Sequence, residues 1–470
     1  MTTFNPAETR IEADYVGEVQ IPGDKLFGVN SVRGFQNLSI SPLTVAHYPE
    51  FRNAFAQCKW AAALANLDSG VLPSAQCEAI ILACREVIEG KCDDSLIVDL
   101  LEGSGGTSTN MNFNEVIANC AQRLMGHAAG SYDVVHPNDH VNCSQSTNDV
   151  YPAALKIATY AMMGPLISEV EKLAVQFDRK SEQFADVLHL GRTCLQDAQP
   201  MRLGQLFSGY ASLTHRLAEE LRNVRGKLLT LPLGGTAIGT GFGAPAAYRG
   251  FVYQHLAKIT GVAYQAPTNS FDAMQNMDVF SRVSAELRTC SASLSKIASD
   301  LTVLSSGPVG GIGELILPEA QAGSSIMPGK VNPVLPMSMI QLSFAVIGND
   351  TAVAQAVQYG QLEINHFEPV VSSRVFDSIS LLTNGIQRFR EKCIEGIEAN
   401  AQRNEEHVVQ SMAVATALVP KLGYAKVSKL ARQSVAEGRS LLAILEESGQ
   451  MTQAEAMAAI EKATHPVFID

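Results

Sequence analysis

Tryptophan occurs once in 470 residues, at Trp60, and aromatic residues make up only 6% of the chain. With Ala, Leu, Met and Gln abundant, that scarcity leans towards helix, because straight-chain residues lose little rotamer freedom in a helical turn. Basic residues are also in deficit: 35 Lys and Arg against 47 Asp and Glu leave a formal net charge of −12. The deficit argues against binding nucleic acid through a broad basic face. It also means that any anionic ligand must be held by local donors and not by the field of the whole molecule. Nowhere is there a run of about 18 apolar residues able to span a bilayer. The stretch Met1 to Gln20 mixes acids and polar residues without an apolar core, so no secretory signal is expected. The nine cysteines are odd in number and form no CxxC pair, which fits reduced cytoplasmic thiols better than a disulfide framework.

What is present is length and helical periodicity. A chain of 470 residues exceeds one ordinary core, and its composition changes suggest an N-terminal mixed, mostly helical domain (1–143), a central helix-bundle domain (144–399) and a small C-terminal helical domain (400–470). In the central part Phe280, Val283, Leu287, Cys290, Leu294, Ile297, Leu301 and Leu304 alternate spacings of three and four, the seam of helices packed side by side. Leu203, Leu206, Phe207, Tyr210, Leu213, Leu217, Leu221 and Val224 repeat it. Further helices are predicted from Pro333 to Val357 and from Val370 to about Cys393. Long helices with apolar faces call for a bundle, and faces of that length favour an oligomer, although periodicity alone does not show one. The last segment reads as several short helices with a turn at Leu422-Gly423-Tyr424.

Four stretches interrupt this pattern with hydroxyl and amide side chains beside glycine or at helix starts: Gly105-Gly106-Thr107-Ser108-Thr109-Asn110, Ser144-Gln145-Ser146-Thr147-Asn148-Asp149, Gly191-Arg192-Thr193-Cys194, and Gly323-Ser324-Ser325-Ile326-Met327-Pro328-Gly329-Lys330-Val331-Asn332. Any one of them could be a simple helix cap. Four together make an anion cradle the better account, since unpaired N–H groups and the helix dipole both favour carboxylate. The fourth has the bends of a lid and carries Lys330, a positive charge suited to a dianion.

The Gly323–Asn332 segment resembles the signature of the aspartase/fumarase superfamily, and the other three stretches occur in that family's order and spacing. The resemblance covers nearly the whole chain and is closest in the aspartate ammonia-lyase branch. It implies a mainly α, three-domain subunit whose central long helices assemble four chains into one helical core, with each active site shared among three subunits. It also implies anti β-elimination from a succinate-type dicarboxylate to give fumarate. By position, Ser324 matches the general base that takes the C3 proton. Lys330, Asn332 and Thr193 match residues that hold the carboxylate next to the leaving group, and Ser146, Thr147 and Ser325 those that hold the carboxylate beside the acidic carbon. Thr107 and Asn148 match positions near the leaving amine. His136, Asn138 and Asp139 resemble a secondary anion site of fumarases. Chemistry supports these roles independently: the carbanion delocalises into its carboxylate, and donors placed where that charge develops stabilise the transition state most. Serine acts as a base only if its oxyanion is stabilised, by Lys330 and by backbone N–H groups of the closed loop. No cofactor or metal is expected, because the elimination needs none.

Three positions depart from the family pattern. Cys194 stands where relatives usually carry His or Gln, Met337 where they carry Glu, and His366 where they typically have Val. The first two replace a polar pair near the leaving group with soft, weakly hydrogen-bonding side chains. Two readings therefore stand level: an aspartate ammonia-lyase, and a lyase for substituted succinates with an amine or thiol leaving group, such as S-(2-succino)cysteine. Fumarate hydratase fits less well, since water needs the most acid assistance to leave. An inactive scaffold would have no use for so complete a donor set. Gly239-Thr240-Gly241-Phe242-Gly243-Ala244 formally fits a dinucleotide fingerprint but lacks the strand before it. His136 and His140 flank Pro137 with no third ligand in view, which gives no metal site. Cys194 is read as a thiol lining the pocket and not as a nucleophile.

Overall fold

A computed structural model describes residues 9–465; the first eight residues of the Met1–Gln20 stretch lie outside them. The described residues open with a hairpin of β1 (Thr9–Asp14) and β2 (Gly17–Pro22), then α1 (Val29–Leu38), α2 (Pro49–Asp68), α3 (Ser74–Ile88) and α4 (Thr107–Leu124). Next come α5 (Thr147–Gln183), a second hairpin of β3 (Leu188–Thr193) and β4 (Gln196–Arg202), α6 (Leu203–Gly226), α7 (Tyr248–Thr260), α8 (Ser270–Gln275) and α9 (Asp278–Leu304). After β5 (Leu315–Ile316) follow α10 (Val334–Gln358), α11 (Glu368–Lys392) and β6 (Glu398–Ala399), which pairs antiparallel with β5. Five short helices finish the described residues: α12 (Ala401–Gln410), α13 (Val414–Leu422), α14 (Tyr424–Glu437), α15 (Leu441–Glu447) and α16 (Gln453–Ala463). The protein is mainly α, as predicted, and no helix among the described residues is long and apolar enough to cross a membrane.

The four predicted long helices are present as α6, α9, α10 and α11. Every apolar position of the α9 seam from Phe280 to Leu304 is buried. The longest helix, the 37-residue α5, carries no such signature. Val150, Tyr151, Ala153, Ala154, Leu155, Ile157 and Ala158 are all buried, as are Asp149 and Lys156, so its opening turns are enclosed on every side and show no apolar period.

Contacts group the chain into two compact units: residues 1–167, 220–289 and 345–382 in the first, and 168–219, 290–344 and 383–470 in the second. In the first, α2 packs on α3 and α7, and α4 on α1 and α3. Its core holds Phe55 stacked on Phe113 at 4.5 Å between ring centroids, with Phe51 packed on Phe55, Tyr151 against both Phe51 and Phe55, and Phe376 against Phe51. In the second unit Phe177, Phe184, Phe207 and Tyr210 pack together, and Tyr210 donates its hydroxyl to Asp300 at 2.8 Å. The terminal helices close over a further apolar cluster that includes Leu190, Val414, Leu418, Leu442, Leu445 and Ile460. The turn read at Leu422-Gly423-Tyr424 separates α13 from α14, with Gly423 at φ +79°.

Truncating the α9 seam should be costly. Leu294 is fully buried, and Leu294→Ala is expected to lose about 2–5 kcal/mol of stability, read as a lowered denaturation midpoint in urea. An unchanged midpoint would mean that the seam does not face a packed core.

Candidate active site

In the first unit two helix N-termini carry the predicted donors. Gly105 and Gly106 turn the chain at φ +65° and +85° into α4. A Cβ on Gly106 would stand 2.5 Å from the Tyr151 ring, so only glycine allows the helix to begin at Thr107. Thr107 borders an open cleft of about 270 Å³, shared with Asn30, Arg33, Asn37, Ser108 and Met111. At the start of α5, the Ser146 hydroxyl accepts the Asn148 N–H (3.2 Å) while the Asp149 carboxylate accepts the Ser146 N–H (2.9 Å), a reciprocal cap. Asn110 joins the two termini by donating its amide to the Thr147 hydroxyl at 3.1 Å. Asn148 donates to the Ala237 carbonyl at 2.9 Å.

Beneath these donors lies a charge that sequence reasoning missed. Lys59 on α2 is fully buried and donates to the Asn110 and Asn142 side-chain carbonyls at 2.7 and 3.0 Å. Asn142 also accepts from Asn110 and Asn114. Burial pulls the Lys59 ammonium down to about 7, opposed by the charge of Asp149. Asp149, equally buried, is pushed up by its own burial, opposed by N–H donors from Ser146, Thr236 and Gly234. The Gly-rich stretch from Gly239 to Gly243 lies in turns with no strand immediately before it. His136 accepts the N–H groups of Asn138 and Asp139 on its ring and so caps the turn Pro137–Val141. His366 abuts the Gly105 backbone: a Cβ on that glycine would meet His366 Cβ at 3.0 Å.

The second unit holds the other predicted residues. Thr193 pairs with Gln196 across the β3–β4 hairpin, leaving Cys194 and Leu195 as the turn, with φ of +54° and +60°. Two successive left-handed residues form the turn that Asn-Gly usually supplies; here Cys and Leu occupy it, and Cys194 is exposed. The loop Gly323–Asn332 folds on itself. Gly323 donates its N–H to the Lys330 carbonyl at 2.9 Å, and Asn332 donates its amide to the Gly323 carbonyl at 2.7 Å. A Cβ on Gly323 would stand 2.5 Å from the Lys330 oxygen, so glycine is required there as well. Within the loop the Ser324 hydroxyl accepts the N–H groups of Ile326 and Met327 at 3.2 and 3.0 Å. Ser325 and Lys330 are exposed.

Glu314 anchors the hairpin beside Thr193. It is buried and receives a bidentate pair from Arg192 (2.7 and 2.9 Å), with His407 at 2.6 Å and His189 at 3.3 Å. Burial alone would raise its pKa, but hydrogen bonds from His189, Arg192 and His407 together with the His189 charge outweigh it and hold Glu314 at about 2. The structure therefore brings Thr107, Ser146, Thr147 and Asn148 together in one unit, and carries Thr193 and Cys194 on a hairpin and Ser324, Ser325, Lys330 and Asn332 on a loop of the other. Lys59 could have been noticed as one cation within the apolar run Cys58 to Leu64. Glu314 carries no comparable signal.

Because Glu314 is held below the ordinary 4.5, its contribution is complete above that pH and is lost as the pH falls towards 2. The shift corresponds to about 3 kcal/mol. The melting temperature should fall between pH 5 and pH 3 in the native protein, and Glu314→Gln should flatten that fall while lowering the value at pH 7. Parallel profiles would contradict the anchor.

A family model described as "Lyase" matches residues 17–348, and one described as "Fumarase C C-terminus" matches residues 414–463. The chain is 42% identical to an aspartate ammonia-lyase of Bacillus sp over 98% of both chains. It is 44% identical to one of Helicobacter pylori over 94% of this chain and 95% of the relative. The fold superposes on a fumarate lyase:delta crystallin from Brucella melitensis, crystallised with cobalt, with a TM-score of 0.95 at 40% identity, covering 97% of this chain and all of the other. A class II fumarase from Schistosoma mansoni superposes with a TM-score of 0.91 at 29% identity, over 97% and 99% of the two chains. The chain is a lyase of the aspartase/fumarase superfamily, as its motifs predicted.

Proposed function

We propose that the chain is an aspartate ammonia-lyase, which removes ammonia from aspartate by anti β-elimination and releases fumarate. The observation that carries this reading is identity of 42–44% to proteins of that name across at least 94% of the chain. In this mechanism Ser324 takes the C3 proton. The two N–H groups that already donate to its hydroxyl favour the oxyanion over the neutral serine, and Lys330 adds positive charge on the same loop. Ser146, Thr147 and Ser325 take up the charge that develops on the carboxylate beside C3. Thr193, Lys330 and Asn332 orient the other carboxylate, and Thr107 and Asn148 face the departing amine. Donors held in place by Asn110 and Lys59 need no reorganisation as that charge appears.

The assembly we propose is a homotetramer of three-domain subunits (1–143, 144–399, 400–470), in the cytoplasm, whose sites combine residues of three chains. In support, α10 exposes Met337, Phe344 and Ile347 at 43, 64 and 40% and carries no charged residue from Val334 to Gly348. Such a strip on a monomer would be a liability. All nine cysteines are free, which suits a reducing compartment.

A second reading rests on Cys194, exposed at its hairpin tip, with Met337 and His366 likewise replacing the usual family residues. A less polar leaving-group pocket suits a thiolate, which departs without a strong acid beside it, so the alternative substrate is a substituted succinate such as S-(2-succino)cysteine. Ser324→Ala should lower turnover by orders of magnitude, measured as fumarate absorbance, with an unchanged gel-filtration profile; near-normal turnover would remove serine from the base role. Supplying fumarate with ammonia, amines or cysteine and following loss of the alkene then separates the readings. Consumption with ammonia is expected, consumption with cysteine alone supports the second reading, and none with any partner would leave a scaffold.

A further inference from the structure

Away from the donors just described, α3, α4 and the turn that follows α3 bring two thiols and a carboxylate together. The sulfurs of Cys92 and Cys120 and a carboxylate oxygen of Glu86 all lie within 4.8 Å of one another, the one such constellation among the described residues. Cys120 donates its S–H to Glu86 at 3.1 Å. Both cysteines are fully buried, whereas the Glu86 side chain is 22% exposed, so the cluster has one edge on solvent. Arg123, 54% exposed, pairs with the same carboxylate oxygen at 2.5 Å; an exposed pair of this kind is cheap to displace.

We propose that Glu86, Cys92 and Cys120 form a binding site for one thiophilic divalent cation, zinc being the natural occupant, which clips α3 to α4. A tetrahedral ion with sulfur at about 2.3 Å and oxygen at about 2.0–2.2 Å places its ligand atoms roughly 3.5–3.8 Å apart, so a small contraction suffices. Two sulfurs and one oxygen suit zinc or cadmium and reject magnesium and calcium, which take oxygen ligands. The fourth position falls to water at the open edge. Cys120 lies thirteen residues beyond Thr107 on one helix, about 20 Å at the helical rise, so the ion is remote from Thr107 and its role is to brace α4 and not to take part in the elimination. Hydrogen bonding to Cys92 and burial push the Cys120 thiol up. Binding exchanges the two thiol protons for one M²⁺: the two S–H bonds break, two metal–thiolate bonds form, both protons pass to solvent, and the Glu86 carboxylate, which already accepts from Cys120, supplies the third ligand. Affinity should therefore rise with pH.

Cadmium is the probe, because its thiolate complexes absorb in the ultraviolet. It is titrated into the reduced full-length protein carrying Cys194→Ser, which removes the exposed thiol. The expected result is a thiolate-to-cadmium band saturating at one ion per chain with release of two protons, reversed by zinc and indifferent to magnesium. Glu86→Gln should weaken binding at least tenfold, and Cys92→Ser with Cys120→Ser should abolish the band. Absence of the band in the folded protein, or a band that survives the double serine variant, overturns the proposal. Should that variant fail to fold, the proton count decides: binding that releases no protons overturns it, and two protons per ion uphold it.

Discussion

Taking an ionised side chain out of water costs several kcal/mol unless partners inside the protein replace the lost hydration, and two such charges set the positions of the donors in their units. Lys59 is enclosed by the carbonyl oxygens of Asn110 and Asn142. Those oxygens are therefore committed, and the Asn110 amide is turned towards Thr147. Glu314 is enclosed by Arg192, His189 and His407, which fixes the strand that ends at Thr193. Neither charge belongs to the donor set proposed to meet substrate. Each determines which way a donor can point, because any other arrangement leaves a buried charge or a buried amide unpaired.

An acidic chain that handles a dianion has to concentrate its donors, and the economy with which it does so is local. Helix starts at Thr107 and Thr147 supply N–H groups and hydroxyls at little conformational cost. The Ser324 loop supplies its own pair of N–H donors to the serine oxygen, and the two glycines of that loop permit the close return of Lys330 to Gly323. The formal charge of −12 is thus compatible with anion chemistry, since donors at hydrogen-bond distance outweigh a screened long-range field.

Much of the fold was legible in the sequence for a physical reason. Helices half in contact with a core write their period into the chain, and α6, α9, α10 and α11 begin and end within a few residues of their predicted bounds. The α5 helix left no such trace, being buried on every side at its start and carrying Pro152 and Pro165 within it. The β3–β4 hairpin was illegible because Cys194 and Leu195 adopt left-handed conformations usually left to Gly or Asn. At the candidate site, hydroxyl and amide residues announced themselves by clustering beside glycine or at helix starts. Glu314 did not, since a lone Glu in sequence gives no sign of being buried; Lys59 is marked only as the single cation of the apolar run Cys58 to Leu64, and the partners of both come from segments distant in the chain.

The central claim is that one fixed base removes one particular hydrogen from C3 while the departing group leaves from the opposite face. The direct measurement uses aspartate stereospecifically deuterated at C3, in its two diastereomeric forms, with the deuterium content of the product fumarate read by nuclear magnetic resonance. The account predicts complete loss of deuterium from one diastereomer and complete retention from the other. Equal loss from both would contradict it, because no single positioned base could then be responsible.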